Sequence, residues 1–306
     1  MSPPRTEPAG PRPGADEVRV ASMVGRLRRV LLKHPRDAFI DARRIEAQWR
    51  ALGFLGPPHL DAALAEYDRF VELLEAEGVE MLFLPRDEQT GIDSLYVHDP
   101  VLVFGSNAVL CRPGKDARRG EPAAAGAFLG GAGIPLLGAI EGNGRLEGGD
   151  VLILGGRSLA VGEGYRSNGD GIRQLREILR GRADEVIPVP LPHWKGPADV
   201  LHLQSLVSLL DHDLALVHSP LLPVPFRRSL LDRGVRLLEV PPAEIDTLGC
   251  NVLALAPRRC LLVEGNPATR RLLEEAGVTV LTFEGREIAL KGGGGPTCLT
   301  RPLRRD

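Results

Sequence analysis

Three residue types that can perform covalent chemistry stand in stretches that interrupt the apolar rhythm of this sequence. Cys298 closes the run GGGGPTC, His202 opens HLQS, and Glu147 lies in LEGGD. A cysteine, a histidine and an acid are the set that nucleophilic catalysis by a thiolate requires. The three residues are therefore candidates for one catalytic centre, provided that the fold brings them together.

Further stretches carry charges that a core would not accept. The run DSLYVHD has a carboxylate at each end, Asp93 and Asp99, while Arg118 and Arg166 lie in ARRGE and YRSN. Taken singly these signals are weak, since a glycine-flanked acid can be a tight turn and a histidine between leucines is more often a core residue. Together, and in this order, they predict an enclosed site for a small polar substrate.

Composition argues against several other kinds of function. The chain has 306 residues, of which 43% are apolar and 4% aromatic, and its formal net charge is −2. Neither a nucleic-acid partner nor a membrane partner is expected from these values. Residues 1–16 mix proline, glycine and charge and are predicted to form a disordered tail. A single domain over residues 17–306 of a soluble, cytoplasmic protein is predicted to follow.

The spacing of the cysteines argues against two kinds of structural site. The four cysteines are far apart and include no CxxC pair, which argues against a structural zinc site and against a small disulfide scaffold. Cys111 and Cys260 lie inside apolar runs and are predicted to be buried small hydrophobic residues.

The elements that must position the candidate residues repeat along the chain. Four segments share an apolar run, a turn-forming break and a second apolar run, and each predicts a β-hairpin. They cover residues 101–111, 151–161, 206–217 and 252–263. Their centres recur every ~50 residues, which is the range where internal repeats indicate an array or a propeller.

A second unit, a helix followed by a strand, recurs between the hairpins. Apolar residues at helical spacing predict the helices 61–78, 171–179, 225–231 and 267–276, with a weaker copy of the unit over 120–140. Five such units stand against four hairpins, and the missing hairpin can be assembled by pairing residues 29–33 with residues 298–303.

We therefore predict an α/β fold, a five-bladed α/β propeller of ββαβ modules with pseudo-fivefold symmetry. The alternative is a doubly wound parallel sheet. Hairpins argue against it because their strands are antiparallel, and no GxGxxG follows the first strand.

These motifs, in this order, resemble those of the guanidine-modifying superfamily, the pentein fold that contains dimethylargininases, arginine deiminases and amidinotransferases. The resemblance runs from about Arg26 to Arg304. It implies that Cys298 is the nucleophile, that His202 is the general acid and base, and that Glu147 is the acid working with the histidine.

The resemblance also implies a substrate side of the site, which binds a small-molecule guanidino amino acid. Asp99 matches the carboxylate that grips the guanidinium, and Arg118 and Arg166 match the arginines that hold the α-carboxylate. The remaining substrate-side residues are Asp93, His98 and Gln204. No metal and no organic cofactor is implied, and a homodimer is left open.

The chemistry of a guanidinium explains this set of residues. Its carbon is a poor electrophile because the positive charge is shared by three nitrogens, so carboxylates must fix the nitrogens while a thiolate attacks the carbon. The bound cation can itself lower the pKa of the thiol. A histidine then protonates the leaving nitrogen and afterwards activates the water that resolves the thiouronium intermediate.

The choice of substrate depends on where the chain departs from the family patterns. Gln204 stands where arginine deiminases carry a second acid, and His98 stands where dimethylargininases carry an acid. The leading hypothesis is hydrolysis of Nω,Nω-dimethylarginine or monomethylarginine to citrulline and an amine. Arginine deimination, amidino transfer and a guanidine-binding protein without turnover remain as alternatives. Residues 53–58 (GFLGPP) are a candidate lid.

Overall fold

The computed structural model describes residues 18–197 and 201–306. The predicted disordered tail, residues 1–16, lies outside this part, and the single domain over 17–306 stays a prediction. Within the described residues, no helix combines the length and apolar character needed to cross a bilayer.

The first module begins with strand β1 (Leu27–Leu32) and ends with strand β2 (Glu80–Phe83), which pairs with β1 in parallel. Three helices connect these two strands: α1 (Pro35–Ala38), α2 (Ala42–Leu52) and α3 (Leu60–Ala76). Helix α3 confirms the prediction for residues 61–78, whereas α1 and α2 were not predicted.

Each of the next four modules is a hairpin, a helix and a third strand. Their elements are β3 (Val101–Phe104), β4 (Asn107–Leu110), α4 (Glu121–Gly131) and β5 (Leu136–Ala139); β6 (Val151–Gly155), β7 (Ser158–Glu163), α5 (Gly169–Ile178) and β8 (Glu185–Pro190); β9 (Val207–Asp211), β10 (Leu214–Val217), α6 (Val224–Asp232) and β11 (Arg236–Glu239); β12 (Leu253–Ala256), β13 (Arg259–Val263), α7 (Pro267–Glu275) and β14 (Thr279–Phe283). Each hairpin is antiparallel, and each third strand pairs in parallel with the second. All four predicted hairpins are thereby confirmed.

The last strand, β15 (Arg301–Arg305), closes the ring. It pairs antiparallel with β1, with Leu27 opposite Arg305 and Leu31 opposite Arg301. The fifth sheet therefore has the same order of strands as the other four, although its first strand comes from the far end of the chain. Five separate three-stranded sheets confirm the predicted α/β propeller, and the antiparallel pair in each one excludes the doubly wound parallel sheet.

The core lies between each sheet and the helix of its module. Leu129 of α4 and Leu175 of α5 are fully buried and belong to the same apolar cluster as Val109 and Leu159 on the neighbouring strands. This packing fixes the strands, so the short loops that precede them are held at defined positions around the axis of the ring.

Candidate active site

The candidate residues occupy equivalent positions in the ring. Asp99, Glu147, His202 and Cys298 each lie in the loop that precedes the first strand of a module, before β3, β6, β9 and β15. The fifth equivalent loop, before β12, carries Asn251. The pseudo-symmetry of the fold thus directs five side chains from distant parts of the sequence towards one centre.

Three of these side chains form a buried cluster. His202 Nε2 lies 2.6 Å from Glu147 Oε2, and His202 Nδ1 lies 4.0 Å from Asp99 Oδ1. Gly149 leaves room for the cluster, since a Cβ at this position would lie 2.5 Å from His202 Nδ1 and 2.9 Å from Asp99 Oδ1. Gly149 of LEGGD therefore serves close packing around the imidazole rather than a turn alone.

Glu147 is held as an anion. Its Oε1 accepts hydrogen bonds from Arg166 Nε (3.0 Å) and from the backbone N–H of Gly114 (2.8 Å), which leaves Oε2 for His202. Burial alone would raise the pKa of this carboxyl group, but Arg166 and His202 outweigh burial and lower the pKa to about 2. The carboxylate is thus ionised throughout the neutral range and faces the imidazole.

His202 is held as an imidazolium. Burial disfavours the charged ring, but the carboxylates of Asp99, Asp150 and Glu147 outweigh burial and raise the pKa of His202 to about 9. At neutral pH the ring therefore carries a proton that it can donate. A buried proton donor of this kind is what departure of an amine requires.

The protonation state of His202 gives a first testable prediction. We expect the His202 imidazole signals in NMR to titrate near pH 9, and proton donation to weaken as the pH rises through that value. In Glu147→Gln the carboxylate is lost, so the titration should move to lower pH. Signals are assigned by their absence from His202→Gln. A wild-type titration near 6.5 contradicts the charge arrangement described above.

A second layer of hydrogen bonds, which the sequence did not reveal, holds the His202 loop. Asp150 accepts from the backbone N–H of Leu203 (3.0 Å) and from the hydroxyl of Ser167 (2.5 Å). Ser167 in turn accepts from the backbone N–H of Glu147 (3.0 Å). Asp150 stands inside the motif LEGGD and Ser167 inside YRSN. Their places in these motifs were the only sequence signal for this hydrogen-bonding role.

Cys298 differs from the other three cysteines, because it is partly exposed while they are buried. Its Sγ accepts a hydrogen bond from Asn251 Nδ2 (3.2 Å). Burial of the thiol and the nearby charge of Asp99 raise the pKa of Cys298 to about 12. The sulfur is therefore a neutral thiol at neutral pH, and an added cation beside it would favour the thiolate. Asn251 was not among the candidate residues, so the sequence analysis missed this contact.

Arg118 lies beside Asp99 and Glu121 rather than in open space. Its Nη1 donates to Asp99 Oδ2 (2.7 Å), and its Nε and Nη2 donate to Glu121 at 2.8–3.1 Å. Asp93 Oδ2 lies 3.9 Å from Arg118 Nε and 3.3 Å from Lys115 Nζ. The structure thus brings Asp93, Asp99 and Arg118 together, and it adds Glu121 and Lys115, which the sequence did not single out for a role.

A cavity of about 440 Å³ opens next to these groups. Its wall includes Lys115 from one side and Asn251 from the other, and Asn251 contacts the sulfur of Cys298 directly. Cavities of this size commonly hold small-molecule ligands. Gly53 and Leu55 of the predicted lid also line the wall, and their movement stays a prediction.

His98 and Gln204, which were predicted to lie on the substrate side, both bond to the protein backbone. Gln204 Nε2 donates to the carbonyls of Gly148 (3.0 Å) and Val151 (2.7 Å), and His98 Nδ1 lies 2.8 Å from the carbonyl of Thr300. Both side chains line a separate cavity of about 20 Å³. Their place on the substrate side stays a prediction.

Asp99, Glu147 and His202 also satisfy the distances of a metal-ligand set, since one ligand atom of each lies within 4.8 Å of the others. Each carboxylate, however, already pairs with an arginine: Asp99 with Arg118, and Glu147 with Arg166. His202 is moreover protonated at neutral pH, so its ring offers no lone pair to a metal ion. The donor set therefore fits proton transfer and a cationic organic group better than a metal ion.

Several known proteins with similar sequences are named for their action on arginine or dimethylarginine. The profile of a family described as N,N dimethylarginine dimethylhydrolase, eukaryotic, matches residues 55–305. The N(G),N(G)-dimethylarginine dimethylaminohydrolase of Streptomyces coelicolor is 36% identical over 79% of this chain and 86% of its own. An arginine deiminase of Mycobacterium avium is 30% identical over 53% of this chain and 46% of its own.

A solved structure shows the same fold. A cysteine-to-serine variant of DDAH from Pseudomonas aeruginosa, complexed with citrulline, superposes with a TM-score of 0.72 at 24% identity. The match covers 90% of this chain and 98% of that one. The arrangement of five sheets is therefore shared.

Proposed function

Because the chain belongs to the N,N dimethylarginine dimethylhydrolase family, we propose that it hydrolyses Nω,Nω-dimethylarginine or monomethylarginine to citrulline and a methylamine. Membership makes the protein a hydrolase of C–N bonds in linear amidines. The observation that carries the choice of mechanism is the imidazolium of His202, which lies between the carboxylates of Glu147 and Asp99. The charge of Asp99 also acts on the thiol of Cys298.

The substrate guanidinium binds at the carboxylates of Asp99 and Asp93. Burial alone would raise the pKa of Asp99, but His202 and Arg118 stabilise the anion and hold this pKa below its ordinary value. A second cation held at Asp99 lies close to the thiol, since the charge of Asp99 acts on Cys298. Its positive charge therefore favours loss of the thiol proton, and the nucleophile forms when the substrate is present.

The first chemical step breaks the bond to the methylated nitrogen. The Cys298 thiolate forms an S–C bond with the guanidinium carbon, and His202 transfers its proton to the departing nitrogen. A neutral methylamine leaves, and a thiouronium remains on the sulfur. His202 is then the neutral imidazole, hydrogen-bonded to Glu147.

The second step returns the enzyme to its starting state. His202 removes a proton from water, whose oxygen bonds to the thiouronium carbon, and the S–C bond breaks. The second proton of the water passes to the sulfur as citrulline leaves, which restores the neutral thiol of the free enzyme, and His202 is again protonated. Water is the only co-reactant. Over the two steps its oxygen replaces the methylamine on the guanidinium carbon.

Arg118 and Arg166 retain the role that the resemblance implies, as ligands of the α-carboxylate. In the structure Arg118 pairs with Glu121, and burial raises the pKa of Glu121 to about 7. A substrate carboxylate therefore competes with Glu121 for Arg118, and protonation of Glu121 favours the substrate. This competition sets the affinity for the amino-acid end rather than the chemistry at the guanidinium.

Arginine deimination is the second candidate, favoured by the partial similarity to arginine deiminases. The placement of Gln204 argues against it, because its amide donates to two backbone carbonyls and brings no negative charge to the guanidinium. Unsubstituted arginine then finds no negative charge at residue 204 for its free nitrogens.

Citrulline formation from three substrates tests this proposal. We expect turnover of Nω,Nω-dimethylarginine and monomethylarginine with kcat/KM at least about 10-fold above that for arginine, which corresponds to one missing charged contact. A preference for arginine would support the deiminase candidate. Transfer of the amidino group to glycine or ornithine would support amidino transfer, and tight binding without product would indicate a binding protein.

A further inference from the structure

His98 makes contacts that the mechanism above does not use. The residue is buried, it precedes Asp99 in the chain, and three hydrogen bonds join it to the segment that carries the thiol. Its backbone N–H donates to the carbonyl of Cys298 (3.2 Å), and its Nδ1 lies 2.8 Å from the carbonyl of Thr300. Arg301 completes the set, because its Nη2 donates to the carbonyl of His98.

These bonds determine the tautomer of the ring. A carbonyl only accepts, so the proton lies on Nδ1 and the lone pair on Nε2. Burial and the nearby charge of Arg301 hold the pKa of His98 well below its ordinary value, so the ring is neutral. Nε2 is buried without a hydrogen-bond partner among the described residues.

The ring of His98 lies apart from the large cavity. The cavity that His98 lines has a volume of about 20 Å³, which is close to the minimum for one water molecule. The cavity at Asn251 and Lys115, by contrast, is about 440 Å³ and does not include His98 in its wall. Its hydrogen bonds to residues 298–301 are therefore the route by which we expect His98 to act on the site.

We propose that His98 is a positioning residue that fixes the turn bearing Cys298 against Asp99. The proposal rests on the proposed function, in which the thiolate of Cys298 attacks a guanidinium carbon held at Asp99. His98 is covalently joined to Asp99, its backbone N–H bonds to Cys298 and its ring bonds to Thr300. The ring thereby holds the far end of the segment 298–300 and helps to set the distance between nucleophile and substrate.

The turn is held from two sides. Asn251 contacts it on the cavity side, through Cys298 Sγ (3.2 Å) and the backbone N–H of Thr297 (3.2 Å). His98 contacts it on the opposite side, through the carbonyls of Cys298 and Thr300. Loss of the Nδ1 contact leaves the Thr300 carbonyl without this donor and frees the turn to shift, and a shift of about 1 Å can reduce the rate about 100-fold.

Two amide variants separate the positioning role from a general need for bulk. In His98→Asn the amide nitrogen takes the place of Nδ1 and can donate to Thr300, whereas in His98→Gln it takes the place of Nε2 and cannot. We expect His98→Asn to keep kcat within about 5-fold of wild type and His98→Gln to lose about 100-fold, with KM changed less than about 3-fold in both. His212→Asn, in the exposed turn between β9 and β10, is the matched control.

A second readout does not need turnover. Chloroacetamidine carries an amidinium that Asp99 can hold, while chloroacetamide is neutral, so the ratio of their rates of Cys298 alkylation reports how the thiol sits relative to Asp99. We expect the ratio to fall about 10-fold or more in His98→Gln and to be restored in His98→Asn. Thermal unfolding of each variant identifies any loss that follows from instability.

The outcomes distinguish the two proposals. Equal losses in His98→Asn and His98→Gln, or a change confined to KM, overturn the positioning role. An unchanged alkylation ratio in His98→Gln overturns it as well. If wild-type protein makes no citrulline while the ratio depends on residue 98 as described, the proposed function fails and the positioning role stands.

Discussion

Replacement of Cys298 by serine is expected to abolish citrulline formation, with a loss on the order of 10⁴-fold or more. The thiol becomes a usable nucleophile because a cation beside it lowers its pKa, and a serine hydroxyl starts from a far higher pKa. Substrate binding should persist, since Asp99 and Arg118 remain ionised and paired as before. The measurements are citrulline release by amino-acid analysis and the Kd of Nω,Nω-dimethylarginine by calorimetry.

The matched control for this variant is Cys260→Ala. Cys260 is fully buried in β13, and its side chain belongs to an apolar cluster that does not include Cys298. We expect this variant to keep its turnover and to lose only some stability, about 1 kcal/mol. Residual activity above about 1% in Cys298→Ser would show that another group attacks the substrate.

Replacement of His202 by glutamine should have the second-largest effect. The imidazolium donates a proton in the first step and the imidazole accepts one in the second, so its loss should reduce kcat about 10³-fold or more for a methylated arginine. The loss should be much smaller when the leaving group needs no proton. S-Methyl-thiocitrulline releases a thiolate, which departs readily without an acid.

His202→Gln treated with S-methyl-thiocitrulline should therefore accumulate a covalent adduct, because the first step proceeds and hydrolysis lacks its base. Mass spectrometry of the intact protein detects the adduct, and the double variant Cys298→Ser/His202→Gln should show none. His212→Gln is the matched control. If His202→Gln turned over dimethylarginine at the wild-type rate, another group would have to supply the proton.

The fold was predictable because each repeated hairpin and most of the helices follow from a local sequence pattern. The break Gly105-Ser106-Asn107 between apolar runs predicts a hairpin, and Gly105 indeed adopts a φ of 59° there. Closure of the ring followed from the count of modules, since one module lacked its hairpin unless the two ends of the chain paired. Helix α2 was missed although both of its ends carry signals: Asp41 caps the backbone N–H of Arg44 at 2.7 Å, and Gly53 ends the helix with a φ of 81°.

The site was predictable only in part. Residue types and order indicated Cys298, His202 and Glu147, and the fold places each of them in the loop that precedes the first strand of its module. The direction of a side chain within a loop was not predictable. His98 and Asp99 are neighbours, yet His98 turns to Thr300 and Asp99 to His202. Contacts between residues so far apart in sequence follow from the assembled ring and leave no local pattern.

Pairing of β1 with β15 has a consequence for the order in which the protein matures. Cys298 stands three positions before β15 and follows four complete modules along the chain. Until the last strand docks on the first, the thiol has neither Asp99 nor His202 beside it, and this docking closes the longest loop in the molecule. We therefore expect the polypeptide to be inactive towards guanidines during translation, and to become active only when β15 pairs with β1 and closes the ring.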